Sequence, residues 1–231
     1  NSQGGAVLLQ FPDLLHRIAS AVRAAVPAHI PVSAKMRLGF KDKTLALTNA
    51  KALEDGGIQW LTVHARTKTE GYKPPAHWEW IARIKEIMSI PVLANGEIWT
   101  PEQARQCMAE SHCDTLMIGR GLVAVPDLGL RIKADQGGPQ HRNLSWSEHL
   151  QLMHDLVPHL SHLPDKAQTD RLKQWLHYFS MQSMEIRAVF EQVKRQRDVP
   201  LFFSQLEQAV RDVAENPPTA DAFAAYEHKG F

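Results

Sequence analysis

The sequence predicts an α/β protein: the C-terminal half of a TIM (β/α)8 barrel followed by an all-α helical bundle. Three observations carry this expectation. Strand–helix units recur roughly every 25 to 30 residues through the first half of the chain, the spacing of βα units in a parallel sheet. In each unit the polar residues gather at the strand's C-terminal end, where α/β barrels keep their chemistry. Past Gly121 the strand signals stop, and amphipathic helical stretches take over. On this reading residues 1-137 form the barrel domain and residues 138-231 the helical domain.

The chain opens with Asn1-Ser2-Gln3-Gly4-Gly5, which reads as the middle of a loop. From Pro12 to Val26 the residues Leu14, Leu15, Ile18, Ala19 and Val22 recur at helical spacing, with Pro12 in the first turn. Pro31 to Leu38 reads as a strand carrying Lys35 and Arg37, and Thr44 to Asp55 as a helix stopped by Gly56-Gly57. Trp60 to Arg66 is a second strand, with His64 and Arg66 at its end. The polar loop Thr67 to Ala76, containing Tyr72, and a helix from Trp78 to Met88 follow. The stretch Ile90 to Glu102 is the most informative. Its apolar run to Ala94 predicts a strand buried on both faces, and Asn95-Gly96-Glu97 predicts a turn. Thr100 suits the cap of the next helix, Pro101 its first turn and Gln103 the third position of a capping box. Thr115 to Gly121 reads as a further buried strand ending in Gly119-Arg120-Gly121.

Val125 to Ala134 is expected to be a short helix and Asp135 to Asn143 a linker. Ser145 and Glu148 stand at capping-box spacing before a helix to Leu160. Helices follow at about Lys166 to Ser180, Ser183 to Arg197 and Phe203 to Ala214, separated by Pro164 and Pro200 and closed by Pro217-Pro218.

Charge is balanced, 26 Lys+Arg against 25 Asp+Glu, so a nucleic-acid contact has to be a local patch and not a bulk field. The two cysteines, Cys107 and Cys113, lack metal-site or C-x-x-C spacing, and no apolar stretch is long enough to span a bilayer. No metal and no membrane are expected, and a reducing cytoplasm is the expected compartment. Four strands cannot close an eight-stranded barrel. The first half is therefore expected to lie outside this sequence, leaving two open sheet edges and an apolar inner face.

A glycine turn between a strand and a capped helix offers backbone N–H groups to a phosphate, and barrels commonly build that site after their last two strands. Lys35 could hold a cation against a flavin edge, a phosphate or an enolate; the plainer alternative is a barrel lysine paired to Glu97. His64 taken singly reads as a structural histidine. Together, Lys35, His64, Asn95, Glu97 and Arg120 at successive strand ends make a site. Gly4-Gly5 reads as a turn, and Arg171 to Leu176 as either a solvated helix face or a phosphate-gripping edge. Cys107, inside a helix, and Cys113, before its strand, suit no proton chemistry at the strand ends.

The segments SAKMRLG at 33–39, TVHARTKTEGY at 62–72, VLANGEI at 92–98, MIGRG at 117–121 and RLKQWL at 171–176, with Asn1 to Ala6, resemble the tRNA-dihydrouridine synthases. The likeness is strongest to the bacterial C type, which acts on uridine 16 of the D-loop. The resemblance implies an FMN-binding barrel and a helical tRNA-binding domain, reducing uracil in tRNA at the expense of NADPH. It implies that Lys35 and His64 contact the flavin, and that Asn95, Gly96, Glu97, Gly119 and Arg120 hold its phosphate. Tyr72, Arg171, Lys173 and Lys194 are implied to touch tRNA. The family's proton-donating cysteine falls a few residues before Asn1. No catalytic residue is therefore expected within this chain, the chain alone is expected to be inactive, and the complete protein is expected to be a monomer. Two other functions fit the same residues: a flavin barrel oxidoreductase with a small-molecule substrate, and a non-catalytic tRNA-binding fragment.

Overall fold

A computed structural model describes residues 4–181 and 183–216 of the chain. The expected loop at Asn1-Ser2-Gln3 and the stop at Pro217-Pro218 lie outside the described residues. The chain divides into two compact units, Asn1–Gly119 and Arg120–Phe231.

In the first unit a short 3-10 helix, Gly5–Gln10, precedes α1 (Pro12–Ala25). Then β1 (Ser33–Arg37), α2 (Ala46–Asp55), β2 (Trp60–His64), α3 (Trp78–Ile87), β3 (Val92–Asn95), α4 (Pro101–Ser111) and β4 (Leu116–Met117) alternate. The strands form one parallel sheet in the order β1-β2-β3-β4. Parallel neighbours need a crossover, and a helix supplies each one. The register sends Met36, Leu61, Val63, Val92 and Ala94 to one face, where all five are buried.

The opposite face corrects two expectations. β3 is not buried on both sides: Val92 and Ala94 are buried, while Leu93 and Asn95 are only partly covered. Nor is that face apolar, since Ser33, Lys35, Arg37, Thr62, His64 and Asn95 lie on it beside Trp60, Leu93 and Met117. The short apolar run at 90–94 cannot by itself distinguish a two-sided from a one-sided strand.

Side chains tie the connections down. Thr100 caps α4 by accepting from the Gln103 N–H at 3.2 Å, but the Gln103 side-chain Oε1 accepts from the Trp99 N–H at 2.8 Å and not from the cap residue. Glu54, at the end of α2, accepts from the Ser89 N–H and hydroxyl, both at 2.7 Å, and from the Ile90 N–H at 3.2 Å. It thereby fixes the entry to β3.

The second unit contains α5 (Arg120–Ala124), α6 (Leu128–Asp135), α7 (Trp146–Leu160), α8 (Asp165–Phe179), α9 (Met184–Val193) and α10 (Val199–Glu215). No strand occurs among its described residues. Leu172, Leu176, Phe179, Val193, Phe202 and Leu206 anchor its core. The strand expected to run to Gly121 ends at Met117, and Arg120 instead opens α5, which packs against α8. The packing division therefore falls at Gly119, ahead of the linker. The Ser145–Glu148 capping box forms in both directions. Pro200 does not separate helices; it sits in the first turn of α10, which Asp198 caps at the Leu201 N–H, 2.9 Å away. Proline is tolerated there because its missing N–H would have no partner in any case. No helix among the described residues is long and apolar enough to cross a membrane.

Burial alone would raise the Glu54 carboxyl, but the hydrogen bonds from Lys51 and Ser89 outweigh it and hold it at about 2 against an ordinary 4.5. Glu70 is held at about 2 in the same way, by Thr67, His77 and Lys43 acting against burial. Because both folded values are depressed, their stabilisation is complete above the ordinary carboxyl range and is lost as pH falls through it toward 2. Glu54→Gln should lower stability at neutral pH by about 1–3 kcal/mol and flatten the acid limb of a plot of midpoint against pH. Denaturant melts between pH 2 and pH 7 would show an unaltered acid limb if the staple carried no stability.

Candidate active site

The register aligns Arg37, His64, Asn95 and Met117 in one row across the four strands, and Lys35, Thr62 and Leu93 in the row beneath. Lys35, His64 and Asn95 thus share a sheet face. Lys35 is solvent-exposed overall, so a ligand can reach it. The protein around it nonetheless lowers its ammonium pKa from the ordinary 10.5, and the neighbouring Arg37 charge adds to the shift.

The turn after β3 is held from every side. Gly96 has φ +123° and Glu97 φ +58°, so both adopt left-handed backbone. A Cβ on Gly96 would stand 2.8 Å from His64 Cδ2 and 3.2 Å from its Nε2. Glycine is required there, both for the backbone and to admit the imidazole. The Ala65 N–H donates to the Asn95 carbonyl at 2.9 Å, and the Trp78 indole N–H to the Gly96 carbonyl at 3.0 Å. Asn95 Nδ2 donates to the Met117 carbonyl at 2.7 Å, tying β3 to β4.

Glu97 does not pair with Lys35 as the plainer alternative had it. Its carboxylate accepts from Arg66 Nη2 on one oxygen and from Trp99 Nε1 at 3.2 Å on the other. Arg66 is fully buried, and its Nε also donates to the Pro75 carbonyl at 3.1 Å. Arg66, Trp78 and Trp99 are the site residues that sequence reasoning missed. Arg66 stands two residues past His64, where it reads as one more strand-end charge; nothing in its spacing names Glu97 as its partner.

The loop after β2 carries Tyr72, which is 60% exposed. Arg37 pins this loop by donating from Nη1 to the Thr67 and Gly71 carbonyls at 2.9 and 2.8 Å. The Arg37 guanidinium lies 5.1 Å from the Tyr72 ring centre, within cation–π reach, and the His64 ring lies 5.9 Å away on the same aromatic. Gly119 closes the first unit, with open space where a side chain would stand. Arg120 begins the second unit as the first residue of α5.

On α8, Arg171 is exposed and donates to Gln174 Oε1 at 3.2 Å. Lys173 is largely covered and pairs with Asp170 at 2.8 Å, while Lys194 pairs with Glu191. Both cysteines are free and buried. Burial pushes the Cys107 thiol up to about 12 and raises Cys113 as well. Neither is placed to serve as an acid for a ligand on the open sheet face.

A parallel sheet with a glycine turn and a buried histidine at its strand ends, and an exposed lysine one row beneath, is the kind of α/β arrangement that keeps its site at those ends. The comparisons narrow the class. The family described as Dihydrouridine synthase (Dus) matches residues 1–215, and the chain belongs to that family. Its relatives include proteins named tRNA-dihydrouridine(16) synthase. One from Aquipseudomonas alcaligenes is 48% identical over 198 residues, covering 85% of this chain and 63% of its own length. One from Pseudomonas putida is 48% identical over 205 residues, covering 85% and 61%. One from Shewanella oneidensis is 43% identical over 209 residues, covering 90% and 65%. The chain thus spans somewhat under two thirds of the length of these relatives.

Gly96→Ala should displace the His64 ring and destabilise the first unit by about 1–3 kcal/mol, the cost of left-handed backbone at alanine together with the close contact. Denaturant melts and the His64 imidazole resonances would report it. An unchanged midpoint and an unshifted ring would show that the turn relaxes freely.

Proposed function

We propose that the protein reduces uridine to 5,6-dihydrouridine in the D-loop of tRNA, at position 16, using FMN and taking its reducing equivalents from NADPH. The observation that carries this is the row of strand-end groups around the Gly96 turn, in a chain whose relatives are named for that position. In this reading residues 1-137 bind FMN as the C-terminal half of a (β/α)8 barrel, and residues 138-231 are a helical tRNA-binding domain. The setting is cytoplasmic and the complete protein monomeric.

The residues present fit an anionic flavin. The turn excludes any Cβ at Gly96, Gly119 leaves open space, and Lys35 is a reachable cation. When bound, the flavin supplies hydride chemistry to the uracil ring. Lys35 places positive charge against an electron-rich ring edge, and its lowered pKa reflects burial and a like charge nearby. His64, on the same sheet face, would contact the flavin. Asn95, Gly96, Glu97 and Gly119 form the phosphate cradle, and Arg120, next to Gly119 in the chain, supplies the charge. Tyr72 offers an exposed aromatic face to RNA. Arg171, Lys173 and Lys194 meet phosphates; for the two lysines RNA has to compete with Asp170 and Glu191. The target base has to leave its stack to reach such a site, which gives a separate RNA-gripping domain its purpose. Both cysteines within the chain are buried, so neither is assigned as the proton-donating acid.

The direct test is complementation. Bacteria stripped of dihydrouridine synthases and supplied with the full-length gene should regain dihydrouridine at position 16, read by mass spectrometry of tRNA fragments; uridine persisting there would refute the assignment. In the full-length protein Arg120→Ala should weaken FMN binding by about ten- to a hundredfold, the loss of a charge-assisted contact, and unchanged flavin retention would remove Arg120 from the cradle. Alanine at Arg171, Lys173 and Lys194 together should leave the flavin spectrum intact, weaken tRNA binding and flatten its dependence on salt. An unaltered salt slope would take these residues out of the RNA contact.

A further inference from the structure

Arg66 is buried without exposure, two residues beyond His64, and its guanidinium bonds a single charged partner, the Glu97 carboxylate. Nη1 is buried with no hydrogen-bond partner among the described residues. A buried ion pair of this kind is weak evidence for stability, because well-packed apolar residues often replace it without loss. What the pair does control is geometry. Glu97 stands at φ +58°, where a residue with a side chain is held only by its surroundings, and both of its carboxylate oxygens are engaged. The two preceding carbonyls are engaged as well, Asn95 by the Ala65 N–H and Gly96 by the Trp78 indole. Across a planar trans peptide the C=O and N–H point in opposite directions. Fixing those two carbonyls therefore turns the Gly96 N–H away from Ala65 and the Glu97 N–H away from Trp78. An unpaired carboxylate in the same turn would repel a phosphate.

We infer that Arg66 is a positioning residue that never touches the ligand: it neutralises Glu97 and locks it in the left-handed conformation, so that the Asn95–Glu97 turn is set in advance to receive a phosphate. The inference rests on the proposed phosphate cradle and adds to it a cause for the cradle's shape. It also reassigns Glu97, whose backbone faces the phosphate while its side chain faces the protein.

The test compares FMN with riboflavin, which lacks the phosphate, on the full-length protein, on Arg66→Met and on the double variant Arg66→Met/Glu97→Gln. The double variant leaves no unpaired charge, which removes the chief reason for the single variant to unfold. Circular dichroism and melts without flavin establish folding for each. The folded double variant should lose FMN affinity by about tenfold or more while its riboflavin affinity stays within about twofold, a split that a general loss of stability would not produce. A folded double variant that keeps the full preference for FMN overturns the positioning role and leaves the cradle standing. A double variant that does not fold shows that the pair is needed for folding, and this also overturns the inference. A parent protein with no preference for FMN over riboflavin overturns the cradle itself, and the inference with it.

Discussion

The buried guanidinium of Arg66 holds the end of β2 to the turn after β3, and the shape of the candidate site depends on that contact. Parallel strands cannot be joined by tight hairpins, so the loops at their C-terminal ends gain little order from the sheet itself. In this chain side chains do the joining. Asn95 reaches the β4 carbonyl at Met117, Arg37 holds two carbonyls of the loop after β2, and Trp78 reaches from α3 to Gly96. Each link crosses from one βα unit to another.

Electrostatics divide the first unit into anchored and available charge. Glu54 and Glu70 are saturated with donors and held near 2, so they act as fasteners and have little left to offer a ligand. The Glu97 side chain is likewise occupied, because Arg66 and Trp99 take both of its oxygens. Lys35 is the contrasting case. It is exposed, its pKa is lowered by partial burial and by Arg37, and it lies on the polar sheet face, one row below His64. A cation in that state gains most from a ligand that brings negative charge to the sheet.

How far the sequence could be read depended on whether the signal was local. Ser145 and Glu148, and Thr100 with Gln103, announce helix starts because a cap is satisfied within four residues. The four βα units were legible for the same reason, since periodicity and turn residues are short-range. β4 is shorter than its sequence suggests because Gly119-Arg120-Gly121 follows an apolar run without a break, while the helix that Arg120 enters is fixed by packing against α8. Pro200 in sequence fits a separator as well as a first turn, because proline ends helices as readily as it begins them, and the Asp198 cap decides between the two. Lys35, His64 and the glycine turn could be placed at one end of the sheet from the sequence alone; that Lys35 and His64 share a face follows from the register. The Arg66–Glu97 pair could not be read there, because the partners lie 31 residues apart and meet only through the β2–β3 register.

The helical unit faces a different constraint. With a net charge of +1 the whole chain has no field to draw in a polyanion, so the RNA affinity proposed for it would have to come from a few placed groups. Two of those proposed, Lys173 and Lys194, are each neutralised by a carboxylate three residues earlier on the same face of the chain. Such pairs are worth little in water, so a phosphate can displace the carboxylate at small cost while the lysine stays close to its required place. Arg171 has no such brake among the described residues: it is exposed and donates to the neutral Gln174 amide. Its planar fork also suits bidentate phosphate contact better than a lysine does. On the proposed reading the arginine therefore contributes most of the attraction, while the paired lysines contribute orientation, binding strongly only to RNA whose phosphates arrive where the carboxylates already sit.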